Sequence, residues 1–292
     1  MEDTYVMNMK RLIALALALV LSLALAACGS GAAPSPSASA PAESAPAESA
    51  SAESDLDYVK GKGALVIGYT VYAPMNYTDD NGEFTGFDTE LAKAVCEKLG
   101  VEPQFQEIVW ETKEIELAGK TIDCIWNGMT LDPEREANMA CTVPYVKNAQ
   151  VVVMKADADY ADTSSLIGKS VCAEVGSAGE TQILGNEETK PDANLAQADY
   201  VGKSVQTDCL MEVAAGTCDA AVLDMTLANA MIGEGTDYAG LKIVDELAVE
   251  NYGVAFRQGS DVRDAVNEIF ADMVADGSLG ALADKYGLEL AD

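Results

Sequence analysis

The residues best suited to chemistry in this chain are 126–135, WNGMTLDPER. A glycine-containing turn with side-chain acceptors, Asn127 and Thr130, precedes a lone arginine by a few residues, a compact way to hold a carboxylate and the polar group beside it. The guanidinium of Arg135 is a planar fork of donors that grips a carboxylate through two parallel hydrogen bonds, and Gly128 lets backbone approach a ligand closely. Asp132, Pro133 and Glu134 supply an N-cap, a proline suited to the first helical position and an early acidic residue. A helix is predicted to start there, with Arg135 in its first turn.

Alternating strands and helices must carry this motif. Residues 65–68 (LVIG) read as a buried strand, and Gly86-Phe87-Asp88 leads into a helix with Leu91, Ala94, Val95 and Leu99 at helical spacing and Asp88 as its N-cap. Residues 101–109 and 122–126 give two further strands. A second α/β set follows Gln150, with strands at 151–154, after 166–171 and at 220–224, then apolar runs at 241–244 and 252–256 and a helix over 262–276. The pattern predicts an α/β fold in two similar lobes, with a cleft between them and ligands at strand C-terminal ends.

Composition narrows the function. Histidine is absent, which removes Ser-His-Asp triads, Cys-His nucleophiles and His-ligated metals, and no carboxylate cluster has calcium-loop spacing; no metal or cofactor is expected. The formal charge of -30 repels nucleic acid and anionic lipid surfaces, so no nucleic-acid partner is expected.

At the N-terminus, Lys10-Arg11 and an apolar run over 12–27 have the form of a secretory signal. The run ends in Leu25-Ala26-Ala27-Cys28, which resembles a bacterial lipobox whose cysteine is lipidated after cleavage. Because Glu2 and Asp3 are out of place in such a leader, Met7 and Met9 compete with Met1 as the start. Residues 29–54, rich in Ala, Ser, Pro and Glu with repeated PAES units, are predicted to form a disordered tether. Cysteines 96, 124, 141, 172, 209 and 218 form no Cys-x-x-Cys pair; they stay as small buried hydrophobes or oxidise, Cys124 with Cys141 being the first pair to examine.

The pieces LVIGYTVYAPMNY, GFDTELAKAV, IDCIWNGMTLDPERE, PYVKNAQVVV, VGSAGE, DAAVLD and NYGVAFRQGS, in this order, resemble the family 3 extracellular solute-binding proteins of polar amino-acid ABC importers. The resemblance covers residues 65–287 and implies a type II periplasmic-binding-protein clamshell, two α/β lobes joined by two crossing hinge strands. Lobe 1 is expected at 55–149 and 249–292 and lobe 2 at 150–248.

The resemblance also implies roles. Arg135 would grip the ligand α-carboxylate together with N–H groups at Ser177 and Ala178. Asp224 would hold the α-ammonium with the Gly128 backbone and Thr130, and Tyr72 and Trp110 would flank the ligand side chain. The chain departs from many relatives at Met75, where phenylalanine is common, and at Asn127, where serine or alanine is common; Asn127 is a candidate contact for a polar ligand side chain.

Taken singly, these residues have plainer readings: a surface ion pair of Arg135 with Glu134 or Glu136, a helix-starting turn at 176–180, an N-cap at Asp224, core aromatics at Tyr72, Trp110 and Trp126. The reading reached is a monomeric, lipid-anchored, extracytoplasmic protein, not an enzyme, that delivers a free amino acid to permease subunits. A neutral polar or small ligand is favoured over an acidic one. A cyclohexadienyl dehydratase-like enzyme and a sensor module are the alternatives on the same fold.

Overall fold

The computed structural model describes residues 54–292; the signal segment, Cys28 and the tether up to residue 53 lie outside the described residues. Ser54, assigned above to the tether, belongs to the folded unit. Its hydroxyl accepts from the Asp57 amide to cap α1 (Asp55–Lys62) and donates to Asp261. There follow β1 (Ala64–Tyr69), the short pair β2 (Tyr77–Thr78) and β3 (Phe84–Thr85), α2 (Phe87–Leu99), β4 (Glu102–Glu107), α3 (Lys113–Ala118), β5 (Cys124–Thr130), α4 (Pro133–Asn138), β6 (Ala140–Cys141) and β7 (Val146–Lys155). The second half contains β8 (Ser170–Glu174), α5 (Ala178–Leu184), β9 (Asp199–Lys203), α6 (Gln206–Ala215), β10 (Ala220–Asp224), α7 (Met225–Met231), β11 (Leu241–Phe256), α8 (Val262–Ala275) and α9 (Ser278–Tyr286).

The main strands run in the order β4-β1-β5-β11-β7-β10-β8-β9, with β6 on β11. The first lobe is built on β4, β1, β5 and the C-terminal end of β11, and the second on β10, β8 and β9. The antiparallel pair β7 and β11, aligned from Lys155 with Leu241 to Val146 with Tyr252, crosses between them. This is the two-lobed α/β clamshell with two hinge strands. The parallel contacts of β1 with β4 and β5, and of β8 with β9 and β10, are the products of intervening helices. Helix α2 buries Phe87, Leu91, Ala92, Val95 and Cys96 at helical spacing and stops at Gly100 in the left-handed region.

Two local expectations change. Residues 126–130 do not form a turn: they continue β5, all seven of whose residues are buried, and Gly128 lies at φ +55° where the register against β11 slips between Gly253 and Ala255. Asp88 is not the N-cap of α2. Gly86 holds that position, and Asp88, one residue inside the helix, is completely buried and aimed at β5.

The Cys124–Cys141 disulfide is not formed, and all six cysteines of the described residues are free. The Cys124 sulfur faces the Val66 carbonyl, whereas that of Cys141 faces the Arg135 carbonyl, so each packs as a small apolar group on a different part of the first lobe. Titration of the folded unit with a thiol reagent is expected to count all six after unfolding without reductant; a count short by two would reveal a disulfide.

Candidate binding site between the lobes

All nine residues singled out as ligand contacts line one cavity: Tyr72, Trp110, Asn127, Gly128, Thr130 and Arg135 from the first lobe, and Ser177, Ala178 and Asp224 from the second. Thr70, Val71, Glu174, Gln206 and Leu227 complete the lining. The lobes are close together, leaving about 10 Å³ open to the centre of a water-sized sphere.

Arg135 is positioned by its own helix start. Asp132 caps α4 by accepting from the Arg135 amide at 2.8 Å, and its other oxygen lies 3.2 Å from Arg135 Nε, so the ion pair is with Asp132 and not with Glu134 or Glu136. Arg135 Nη1 donates to the Thr130 carbonyl at 2.8 Å and Nη2 to the Gly176 carbonyl, in the opposite lobe, at 3.1 Å. A guanidinium has five N–H donors, so these contacts leave one on each terminal nitrogen, the fork that suits a carboxylate. Facing it, Ser177 caps α5 through Glu180 N at 3.1 Å, and its own amide makes a 3.2 Å bond to the Glu174 carbonyl. A Cβ on Gly179 would lie 2.6 Å from the Val222 carbonyl, so glycine is what lets this first turn sit against β10.

The backbone at Gly128 is held by Asp88, which accepts from the Gly128 amide at 2.6 Å and from the Tyr145 hydroxyl at 2.8 Å. Burial pushes Asp88 up to about 7, against the lowering effect of those donors. Asn127 lines the cavity, but its amide is committed: Oδ1 accepts from the Thr70 amide and hydroxyl at 3.0 and 2.7 Å, and Nδ2 donates to the Thr70 carbonyl and Asn76 Oδ1 at 2.9 and 2.8 Å. It ties β5 to the end of β1, which leaves it no donor for a ligand side chain.

Asp224 stands at the N-cap position of α7, yet its carboxylate makes no cap. It accepts from Asn148 at 2.7 Å, from Gln150 at 2.6 Å and from Gln206, whose carbonyl in turn takes the Asp224 amide at 2.9 Å. Glu250, on β11, receives Thr130 Oγ1 at 2.8 Å and shares Asn148 and Gln150 with Asp224. The two carboxyls titrate together, and burial raises both, with the Asp224 charge adding to the rise at Glu250. Because the Thr130 hydroxyl donates to Glu250, its lone pairs stay available as acceptors.

Tyr72 and Tyr252 join hydroxyls in the buried floor. A Cβ at Gly128 would sit 2.7 Å from the Tyr72 ring. Trp110 is 5% exposed and carries the Lys113 ammonium 4.8 Å from its ring centroid. Trp126, in contrast, is core, edge-on to Phe270.

Glu174, Gln206, Glu250, Tyr252 and Lys113 were missed in the sequence. Glu174 ends β8 just before the Gly176 turn, is 3% exposed, and its Oε1 has no hydrogen-bond partner among the described residues. Burial and the Asp224 charge push it up to about 8 against the opposing charges of Lys113 and Arg135. A signal for it existed: like Asp224, it is an acid closing an apolar strand.

A family model, bacterial extracellular solute-binding proteins, family 3, matches residues 65–289. The chain belongs to that family. Among curated relatives of this family 3 solute-binding protein, the arginine-binding extracellular protein ArtP of Bacillus subtilis strain 168 is 28% identical over 228 residues, 77% of this chain and 87% of ArtP. The L-cystine-binding protein TcyJ of Escherichia coli strain K12 is 29% identical over 236 residues, 79% of this chain and 85% of TcyJ. A solved structure of the ancestral amino acid-binding protein AncCDT-1, a precursor of cyclohexadienyl dehydratase, is 28% identical, covers 80% of this chain and 99% of its own, and has a TM-score of 0.70.

Two outcomes are expected of this solute-binding protein. Gly128→Ala forces a side chain into the left-handed region and against Tyr72, and is expected to cost about 2–4 kcal/mol in denaturant unfolding. Acids raised by burial hold protons in the folded state that the unfolded chain has already released, so their stability contribution is full below the ordinary carboxylate range and is lost as pH rises. The ligand-free melting temperature is therefore expected to fall between about pH 4 and about pH 8 as Asp88 and Glu174 ionise. Replacing Glu174 by Gln should flatten the upper part of that slope. The exposed carboxylates with lowered values, such as Asp79 and Asp276, act only below this window.

Proposed function

We propose that this protein captures a free amino acid between its lobes, outside the cell membrane, and delivers it to the permease subunits of an ABC importer. The observation that carries the reading is the convergence of Arg135 and Asp224, from opposite lobes, on one cavity. An amino-acid zwitterion supplies the complement of each. Its carboxylate takes the free fork of Arg135 and the first-turn amides at Ser177 and Ala178, with Ser177 yielding its long bond to Glu174. Its ammonium lies on Asp224, with the Gly128 backbone and the Thr130 hydroxyl as further acceptors. Tyr72 and Trp110 flank the side chain, and Asn127 holds the shape of the site.

Contacts to both lobes make ligand binding stronger in the closed state than in the open one, which is the differential affinity that shifts the population. The N-terminal segments fit delivery at a membrane: a signal ending at a lipidated Cys28 and a tether leading to a monomeric folded unit, lobe 1 at 55–149 and 249–292 and lobe 2 at 150–248. Extracytoplasmic ligand capture by the relatives supports the same location.

Glu174 moves the ligand reading beyond a neutral polar or small side chain. With the zwitterion neutral in sum, an acid with an unpaired oxygen favours a side chain that donates hydrogen bonds, and above all a cationic one; ArtP, an arginine binder, is consistent with this.

Calorimetry against the common amino acids is expected to show tightest binding for a cationic one. Arg135→Ala should weaken it by at least about 100-fold, as for one partner removed from a buried charge pair, while the ligand-free protein still folds, at a lower melting temperature. Near-normal affinity in that variant would defeat the site. Glu174→Gln should narrow the preference for cationic over neutral ligands. Incubation with prephenate is expected to yield no aromatic product; its appearance would replace the binding reading by an enzymatic one.

A further inference from the structure

Lys113 stands out as a buried cation that the binding reading does not use. It opens α3, is only 4% exposed, and its ammonium donates to the Trp110 carbonyl at 3.3 Å and to the Gly176 carbonyl at 3.0 Å. Lysine is almost never buried without a partner, yet no carboxylate among the described residues comes within ion-pair distance of it. Its side chain is not part of the cavity lining. What it reaches is the other lobe.

The acceptor is built for the purpose. Gly176 lies at φ +74°, its own amide is fixed by Glu180 Oε2 at 2.7 Å, and the Ser177 amide, in the same peptide unit as the Gly176 carbonyl, is held by the Glu174 carbonyl at 3.2 Å, which leaves the Gly176 carbonyl aimed at the first lobe. Two first-lobe cations meet on that single oxygen, Arg135 at 3.1 Å and Lys113 at 3.0 Å. Arg135 also answers to the ligand carboxylate. Lys113 does not, and its bond to Gly176 exists only while the lobes are together.

We propose that Lys113 is a latch between the lobes, a positioning residue whose bond to the Gly176 carbonyl sets the closing equilibrium of the cleft for every ligand alike. The inference rests on the amino-acid-binding reading for its effect on affinity, but the closing equilibrium itself needs no ligand. Opening returns the ammonium to water and frees the carbonyl; closing exchanges that hydration for one charge-assisted bond and the face of Trp110. Burial and the nearby Arg135 hold Lys113 down at about 8, while Glu114, Asp132 and Glu174 act in the opposite sense.

The test compares the unaltered protein with Lys113→Met and Lys113→Arg. Spin labels on cysteines introduced at the exposed positions Glu97 and Ala214, one per lobe, report the closed fraction without ligand. Calorimetry with arginine, glutamine and glutamate reports affinity. Lys113→Met is expected to lower the ligand-free closed fraction and to weaken every ligand that binds by the same factor, roughly tenfold, the size of one hydrogen bond to a charged group. Lys113→Arg is expected to restore both. A loss confined to glutamate would make Lys113 a side-chain contact, and an unchanged closed fraction, with or without a lower melting temperature, would make it a packing residue; either result overturns the latch. If none of the amino acids binds the unaltered protein, the binding reading fails, and the spin-label distances still decide the latch.

Discussion

A buried carboxylate governs the design of this site. Asp224 sits where the hinge strands cross beside the second lobe, and three amide side chains reach it: Asn148 and Gln150 from β7 and Gln206 from α6. An unpaired charge in such a place costs several kcal/mol, so these donors are a condition of the fold as much as of the site. They also join moving parts. Asn148 accepts from the Thr226 amide and hydroxyl while it serves Asp224, and both Asn148 and Gln150 extend to Glu250 on the other crossing strand. The hinge is therefore cross-braced by polar groups at the point where the proposed reading puts the ligand ammonium.

The first lobe answers with a second buried acid. Asp88 reaches 40 residues along the chain to hold the Gly128 amide, and Tyr145, stacked near Phe87, completes its shell. Gly128 is free to adopt φ +55°, and the resulting irregularity in β5 turns the strand end so that Thr130 presents its carbonyl to Arg135 and its hydroxyl to Glu250. One acid thus shapes the backbone of the grip, while the other is the grip. Both depend on burial for strength, because low polarity enlarges each charge-assisted bond.

The parts of the site that were legible in the sequence were those whose chemistry is local or whose motif has a register. Asp132-Pro133 announced a helix start, and Arg135 followed from it; the order of motifs brought Tyr72, Trp110, Ser177 and Asp224 together. Misreadings arose where a residue's partner is remote. Asp88 next to a helix start looks like a cap, and only the tertiary fold shows that its partner is the Gly128 amide. Asn127 looks like a free amide until Thr70 and Asn76 fill it. Lys113 drew no reading, because nothing nearby in sequence reveals Gly176. Glu174 differs: residues 171–174 and 221–224 have the same form, an apolar run closed by an acid, so its signal lay in the sequence.

These acids also set the charge balance of the cleft. Glu174 and Asp224 close neighbouring strands of the second lobe, and Glu250 shares the Asn148 and Gln150 amides with Asp224. Burial is the main reason that all three carboxyls rise, with the Asp224 charge adding to the rise at Glu174 and Glu250. A cationic group entering between the lobes replaces their protons with a charge that is also tied to Arg135 through its carboxylate. In the proposed reading, closure around a cationic ligand gives the unpaired Glu174 oxygen a donor. That difference, not the strength of any single contact, is what separates the liganded from the empty clamshell, because a ligand shifts an equilibrium only by its differential affinity for the two states.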